Sequence, residues 1–134
     1  AKKGHAWRRR LERRSQETIL VVVDGDDGVV GYAAFGPDRR RGGGGELYEL
    51  YVLTDHQGRG FGRALCAEVA AHLRRQGLRS LTVEVLDGNS SRFFYEALGG
   101  RLAARRRQRF AGRDLPTLVY VWDDARIAAA AQTP

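Results

Sequence analysis

The 134-residue chain has no methionine, a single cysteine, three histidines and three prolines. A lone Cys66 excludes an internal disulfide and a cysteine-built metal site, and its place in an apolar helical stretch reads as a small buried hydrophobe. The histidines, His5, His56 and His72, are too scattered to suggest a metal centre, so no metal is expected. His56, beside a glycine-rich turn, reads as a solvated loop residue. No apolar run approaches the roughly 20 residues that a membrane-spanning helix needs, and no secretory hydrophobic segment is visible. These absences predict a protein without a membrane partner in a reducing, cytoplasmic setting. The lack of an initiator methionine predicts that the chain does not begin at a natural translation start.

What is present is the composition of one ordinary globular domain, 43% hydrophobic and 29% charged. The net charge of +7 raises the question of a nucleic-acid partner. Its distribution argues against one. The arginines fall in separate runs, at 8–14, 39–41 and 105–109, rather than in one stripe interleaved with aromatic rings that could stack on bases. A polyanionic cofactor would benefit from the same positive field.

Along the chain, Trp7 and Leu11 lie four apart, which predicts a helix over residues 1–16. Thr18 to Val23 and Val29 to Phe35 are apolar runs around the turn sequence DGDDG and read as a β-hairpin. A glycine-rich loop over 39–45 leads to a strand from Glu46 to Leu53 and a glycine turn, TDHQGRGFG. Leu65, Cys66, Val69, Ala70 and Leu73 then recur at helical spacing up to Gly77. Leu81 to Leu86 reads as a strand, Asn89 or Ser90 can cap a short helix ending at Gly99-Gly100, and strands at Arg101 to Phe110 and Leu115 to Trp122 flank the turn AGRD. Residues 123–134 read as a weak helix or tail. This order predicts a single α/β (α+β) domain, with a mixed, mostly antiparallel sheet of about six strands and helices on both faces. Tyr120 and Trp122, if their strand is an edge, would invite a homodimer.

The segment from Leu50 to Leu73 carries the chemistry. Gly58, Gly60 and Gly62 remove side chains that would keep a ligand from the backbone, and the following helix presents unpaired N–H groups at its positive end, which together make an anion site. No Gly-Lys-Ser/Thr follows, and the full G-x-G-x-x-G spacing is missing, so Walker and dinucleotide loops are excluded.

Gln57-Gly58-Arg59-Gly60-Phe61-Gly62 resembles the Q/R-x-x-G-x-G/A motif by which GNAT acetyltransferases bind the pyrophosphate of acetyl-CoA. Asn89 followed by Phe94-Tyr95-Glu96-Ala97-Leu98-Gly99 resembles the second motif of that family. The resemblance covers roughly residues 18–122; the first strand and helix of the family have no counterpart, and residues 1–16 would be what remains of its second helix. It implies an N-acetyltransferase in which the backbone of Leu50, Tyr51 and Val52 meets the acetyl and pantetheine part of the cofactor. The amides of Gly58, Arg59, Gly60, Phe61, Gly62 and Arg63 would hold the pyrophosphate, and Asn89 the pantetheine arm. Tyr95 would be the general acid that returns a proton to the CoA thiolate. Asn89 and Tyr95 are six apart where many members have seven, which bears on the contact of Asn89.

The attacking amine must lose a proton, and Glu46 and Glu84 both resemble bases used in the family. Glu46 has the same strand parity as Leu50 and Val52, whereas Glu49 has the opposite parity and reads as an ion-pair residue. The implied acceptor is a primary amine on a small molecule, a protein N-terminus or a lysine. The alternative reading is a non-catalytic acyl-CoA-binding module, or a basic RNA- or protein-interaction module, on the same fold.

Overall fold

A computed structural model describes the backbone of residues 5–11 and all atoms of residues 16–39 and 43–124. Among the described residues, seven strands form one mixed sheet in the order β1-β2-β3-β4-β5-β7-β6. They are β1 (His5–Leu11), β2 (Thr18–Asp24), β3 (Val29–Pro37), β4 (Gly45–Val52), β5 (Leu81–Leu86), β6 (Arg101–Phe110) and β7 (Arg113–Trp122). Helix α1 (Phe61–Arg75) connects β4 to β5, and α2 (Ser91–Ala97) connects β5 to β6. Among the described residues only the β4–β5 pair is parallel; a crossover through a helix is what parallel neighbours require.

The mixed, mostly antiparallel sheet agrees with the sequence reading, with three corrections. First, His5–Leu11 is not a helix remnant but an edge strand paired antiparallel with all of β2, Leu11 opposite Thr18 and His5 opposite Asp24. The helical spacing of Trp7 and Leu11 is local, whereas the β-branched strand beside them offers a ladder for every residue, and pairing overrides propensity. Residues 1–4 and 12–15 of the expected helix, and 125–134 of the expected tail, lie outside the described residues.

Second, the two helices do not divide between the faces. Phe61, Leu65, Cys66, Val69, Ala70 and Leu73 of α1 share one core with Tyr95 of α2 and with Leu20, Val22, Phe35, Leu47, Val83, Leu118 and Tyr120 of the sheet. Among the described residues, the other face carries no helix. Third, β7 is interior, between β5 and β6, and Tyr120 and Trp122 are buried. The expected homodimer through an exposed Tyr120/Trp122 edge therefore loses its basis, since a strand hydrogen-bonded on both sides has no free ladder.

A bulge decides what β4 presents. Ala34 pairs with Glu49 but Phe35 pairs with Leu47, leaving Tyr48 as the extra residue. Leu47 faces the helices before the bulge, and Leu50 and Val52 face them after it. Glu46 thus lies on the helix-free face, opposite to Leu50 and Val52, while Glu49 joins it there. The parity read from the unbroken sequence is inverted at this one residue.

Candidate active site

β4 and β5 pair only from Gly45 opposite Leu81 to Leu47 opposite Val83, and then diverge. The ladder to β3 continues, with the Leu53 N–H bonded to the Val30 carbonyl. Because successive strand amides point to alternate sides, those of Leu50 and Val52 point away from β3 into the gap. That gap opens into a cavity of about 230 Å³ lined by residues of β4, β5, α2, β6 and β7, among them Leu50, Glu49, Glu84, Asn89, Tyr95 and Phe110. An adjoining cavity of about 420 Å³ shares Glu84, Tyr48, Gln108 and Phe110 and adds Arg39 and Glu46.

At the end of β4 the chain makes a 3-10 turn, Thr54–His56, and the Gln57 side-chain amide donates to the Val52 carbonyl at 2.9 Å, closing the loop onto the strand. Gly58 and Gly60 have φ of 77° and 88°, left-handed backbone that other residues adopt only with strain. Gly60 is the N-cap of the 15-residue α1, no side chain caps that end, and no acidic residue stands in the first turn. The amides of Gly62 and Arg63 lie in this uncapped first turn and face an anion together with the positive end of the helix dipole. Gly62 has a packing role as well: a Cβ there would lie 3.3 Å from the Phe94 ring, so glycine lets α1 and α2 approach.

Tyr95 is 5% exposed, with its ring 5.2 Å from Phe94 and 6.1 Å from Trp122 between centroids. Desolvation, with a smaller contribution from Cys66, pushes its phenol above the ordinary value. It remains a proton donor across the working pH range. The helix beneath it is pinned to the sheet: the Tyr120 hydroxyl donates to Glu96, and the Trp122 indole donates to the Leu98 carbonyl at 3.1 Å. The Tyr120 hydrogen bond, with help from Arg92, holds the Glu96 carboxyl below its usual range. Asn89 uses its Oδ1 to accept the Ser91 N–H at 2.8 Å, at the start of α2, and also lines the smaller cavity. Cys66 is buried and desolvation pushes its thiol up to about 12, so it is no nucleophile at neutral pH.

The two candidate bases part company. Glu46 is 7% exposed and accepts the Arg39 main-chain N–H at 3.0 Å and its guanidinium at 3.3 and 3.4 Å. Its charge is engaged. Glu84 accepts the Thr117 hydroxyl and lines both cavities on the same sheet face. Glu49, expected to form an ion pair, accepts the Tyr32 hydroxyl at 2.9 Å and lines the smaller cavity, and this bond is the chief reason that the Tyr32 phenol is raised. The sequence hid Glu49 as a site residue because the bulge at Tyr48 leaves no signature. Tyr51 is half-exposed, its ring 6.1 Å from that of Tyr32.

His56 is buried rather than solvated; Nε2 sits 2.9 Å from an Asp27 carboxylate oxygen. With Asp24 it completes, among the described residues, the one group of three side chains that could converge on a metal ion, and the Arg59 guanidinium already stands 3.4 Å from Asp24.

A profile of the acetyltransferase (GNAT) family matches residues 2–100. The chain is 37% identical over 113 residues to the uncharacterised N-acetyltransferase YuaI of Bacillus subtilis, covering 83% of this chain and 65% of that protein. It is 33% identical to the L-amino acid N-acyltransferase MnaT of Escherichia coli, over 77% of this chain and 60% of that one. The chain therefore spans less than two thirds of the length of these relatives. The yncA structure from Salmonella typhimurium, which holds its cofactor acetyl-CoA, superimposes with a TM-score of 0.67 at 26% identity, over 81% of this chain and 65% of yncA.

Proposed function

The chain belongs to the acetyltransferase (GNAT) family, and on that premise we propose that it transfers the acetyl group of acetyl-CoA to a primary amine by direct attack in a ternary complex. The observation that carries this reading is the divergence of β4 from β5, which leaves the amides of Leu50 and Val52 turned away from β3 and opens a cavity lined by Leu50 and Tyr95. Acetyl-CoA would lie with its thioester in the gap and its pyrophosphate on the amides from Gly58 to Arg63. A donor such as the Val52 N–H would meet the oxyanion as the amine attacks. Collapse of the tetrahedral species breaks the C–S bond, and Tyr95 gives its proton to the sulfur. The phenol, raised above about 10, is a weaker acid than a thiol at about 8.5, so it keeps its proton until charge develops on sulfur, the transfer runs uphill, and the tyrosinate regains its proton from solvent.

Glu84 is the better-placed base, acting on the amine directly or through water, because Glu46 is held by Arg39. Glu84→Gln is expected to lower kcat/KM for the amine by tenfold or more, most steeply at low pH, where the amine is most protonated. Glu46→Gln should leave that pH profile unchanged. The profiles of both variants over pH 6–9 check this, and a selective low-pH loss in Glu46→Gln would move the base to Glu46. The acceptor class is a primary amine on a small molecule or on a polypeptide. Thiol release from acetyl-CoA over a panel of such amines tests the reaction, and binding of acetyl-CoA without release would leave a non-catalytic acyl-CoA module.

A further inference from the structure

The acidic turn between β2 and β3 is remote in sequence from the glycine loop, yet its carboxylates grip that loop at two points. Asp27 Oδ2 lies 2.9 Å and Asp24 Oδ2 3.8 Å from His56 Nε2, at the entry to the loop. Two residues beyond Gln57, the guanidinium of Arg59 lies 3.4 Å from Asp24 Oδ2. A hydrogen bond from the Asp24 N–H to the Gly28 carbonyl closes the turn that presents both carboxylates.

Two features of this contact are costly unless it does something. Carboxylates beside an anion-binding loop repel the anion by Coulomb's law, and here Arg59 and His56 are the groups that engage them. The other ring nitrogen of His56, Nδ1, is buried without any hydrogen-bond partner. An apolar side chain would suit that burial better, since an unpaired polar atom in the interior is desolvated with nothing in return. What only the imidazole supplies is the tie to Asp27.

We propose that Asp27 and Asp24 are positioning residues for the pyrophosphate loop: through His56 and Arg59 they fix the backbone on either side of Gly58, so that the amides ahead of α1 are set before the cofactor arrives. This rests on the reading of that loop as the pyrophosphate site. Gly58 and Gly60 give the loop freedom that a phosphate would otherwise have to quench on binding, and a preset loop binds more tightly.

The test compares CoA, by calorimetry, with pantetheine, which lacks the pyrophosphate and nucleotide, by ligand-observed NMR. Asp27→Ala, in an exposed turn, is expected to raise the Kd of CoA about tenfold, or ~1.4 kcal/mol, with the Kd of pantetheine and the unliganded Tm unchanged. Asp27→Glu should restore most of the affinity. His56→Leu should weaken CoA similarly without lowering the Tm, because it removes the orphaned nitrogen. CoA binding within twofold of wild type in Asp27→Ala and His56→Leu overturns the proposal, as does an equal loss for pantetheine, which would signal general distortion. A wild-type protein that binds no CoA would overturn the pyrophosphate reading and this proposal together, whereas wild-type binding with unmoved variants overturns this proposal alone.

Discussion

Gly60→Val is expected to abolish the thermal stabilisation that acetyl-CoA gives the wild-type protein. A ligand that binds only the folded state stabilises it by RT ln(1 + [L]/Kd), about 2.7 kcal/mol at a hundredfold excess over Kd, which raises the Tm of a domain this size by several degrees. Gly60 sits at φ 88° as the N-cap of α1. A β-branched residue there carries backbone strain of about 1–3 kcal/mol and relaxes by turning the very amides that would face the pyrophosphate. The core of α1 begins one residue later at Phe61 and does not depend on this contact. The variant should therefore fold with a lower Tm and show no shift with acetyl-CoA. A wild-type shift in a folded Gly60→Val protein would place the phosphate elsewhere.

Tyr95→Phe should keep the affinity for acetyl-CoA and lose turnover, by about tenfold to a thousandfold if thiolate protonation contributes as general acids do. The ring contacts with Phe94 and Trp122 survive the change, so stability in the neutral range should move little. At alkaline pH the sign of the stability effect is defined. The wild-type phenol is raised in the folded state, so the unfolded chain ionises first, and the associated stability is present below about pH 10 and declines above it. Tyr95→Phe removes that decline. Turnover at the wild-type rate, where chemistry limits, would assign thiolate protonation to water or to the amine.

How far the sequence carried this picture depends on whether a feature is local. The strand Leu81–Leu86, the strand Arg101–Phe110 and the glycine loop with its helix were legible because turn residues and periodicity are written in consecutive positions. His5–Leu11 was not, because its strand state comes from pairing with β2, and a pattern of two apolar residues cannot report a partner. The burial of Tyr120 and Trp122 follows from β7 lying between β5 and β6, a matter of topology that no local pattern encodes. One bulge at Tyr48 puts Glu46 and Glu49 on the same face of the sheet, since strand parity changes with a single extra residue. His56 looked like a loop residue because its partners, Asp24 and Asp27, read as turn formers and nothing more.

β4 and β5 diverge beyond Leu47 and Val83, and everything proposed for the chemistry lies past that point. The helix-free face beside it, with Glu84, Tyr48, Gln108 and Phe110, is where an amine would enter. Its two acidic side chains nearest the gap, Glu84 and Glu49, suit a cationic amine.

The most direct measurement is thiol release from acetyl-CoA by the wild-type chain over a panel of primary amines, with the acceptor product followed by mass spectrometry. The expected result is release that depends on one class of amine, with one acetyl group gained by the acceptor for each thiol freed, and a rate that falls at least tenfold in Tyr95→Phe. Binding of acetyl-CoA with no release above the protein-free rate, for any amine, would contradict the assignment of acetyl transfer to this site.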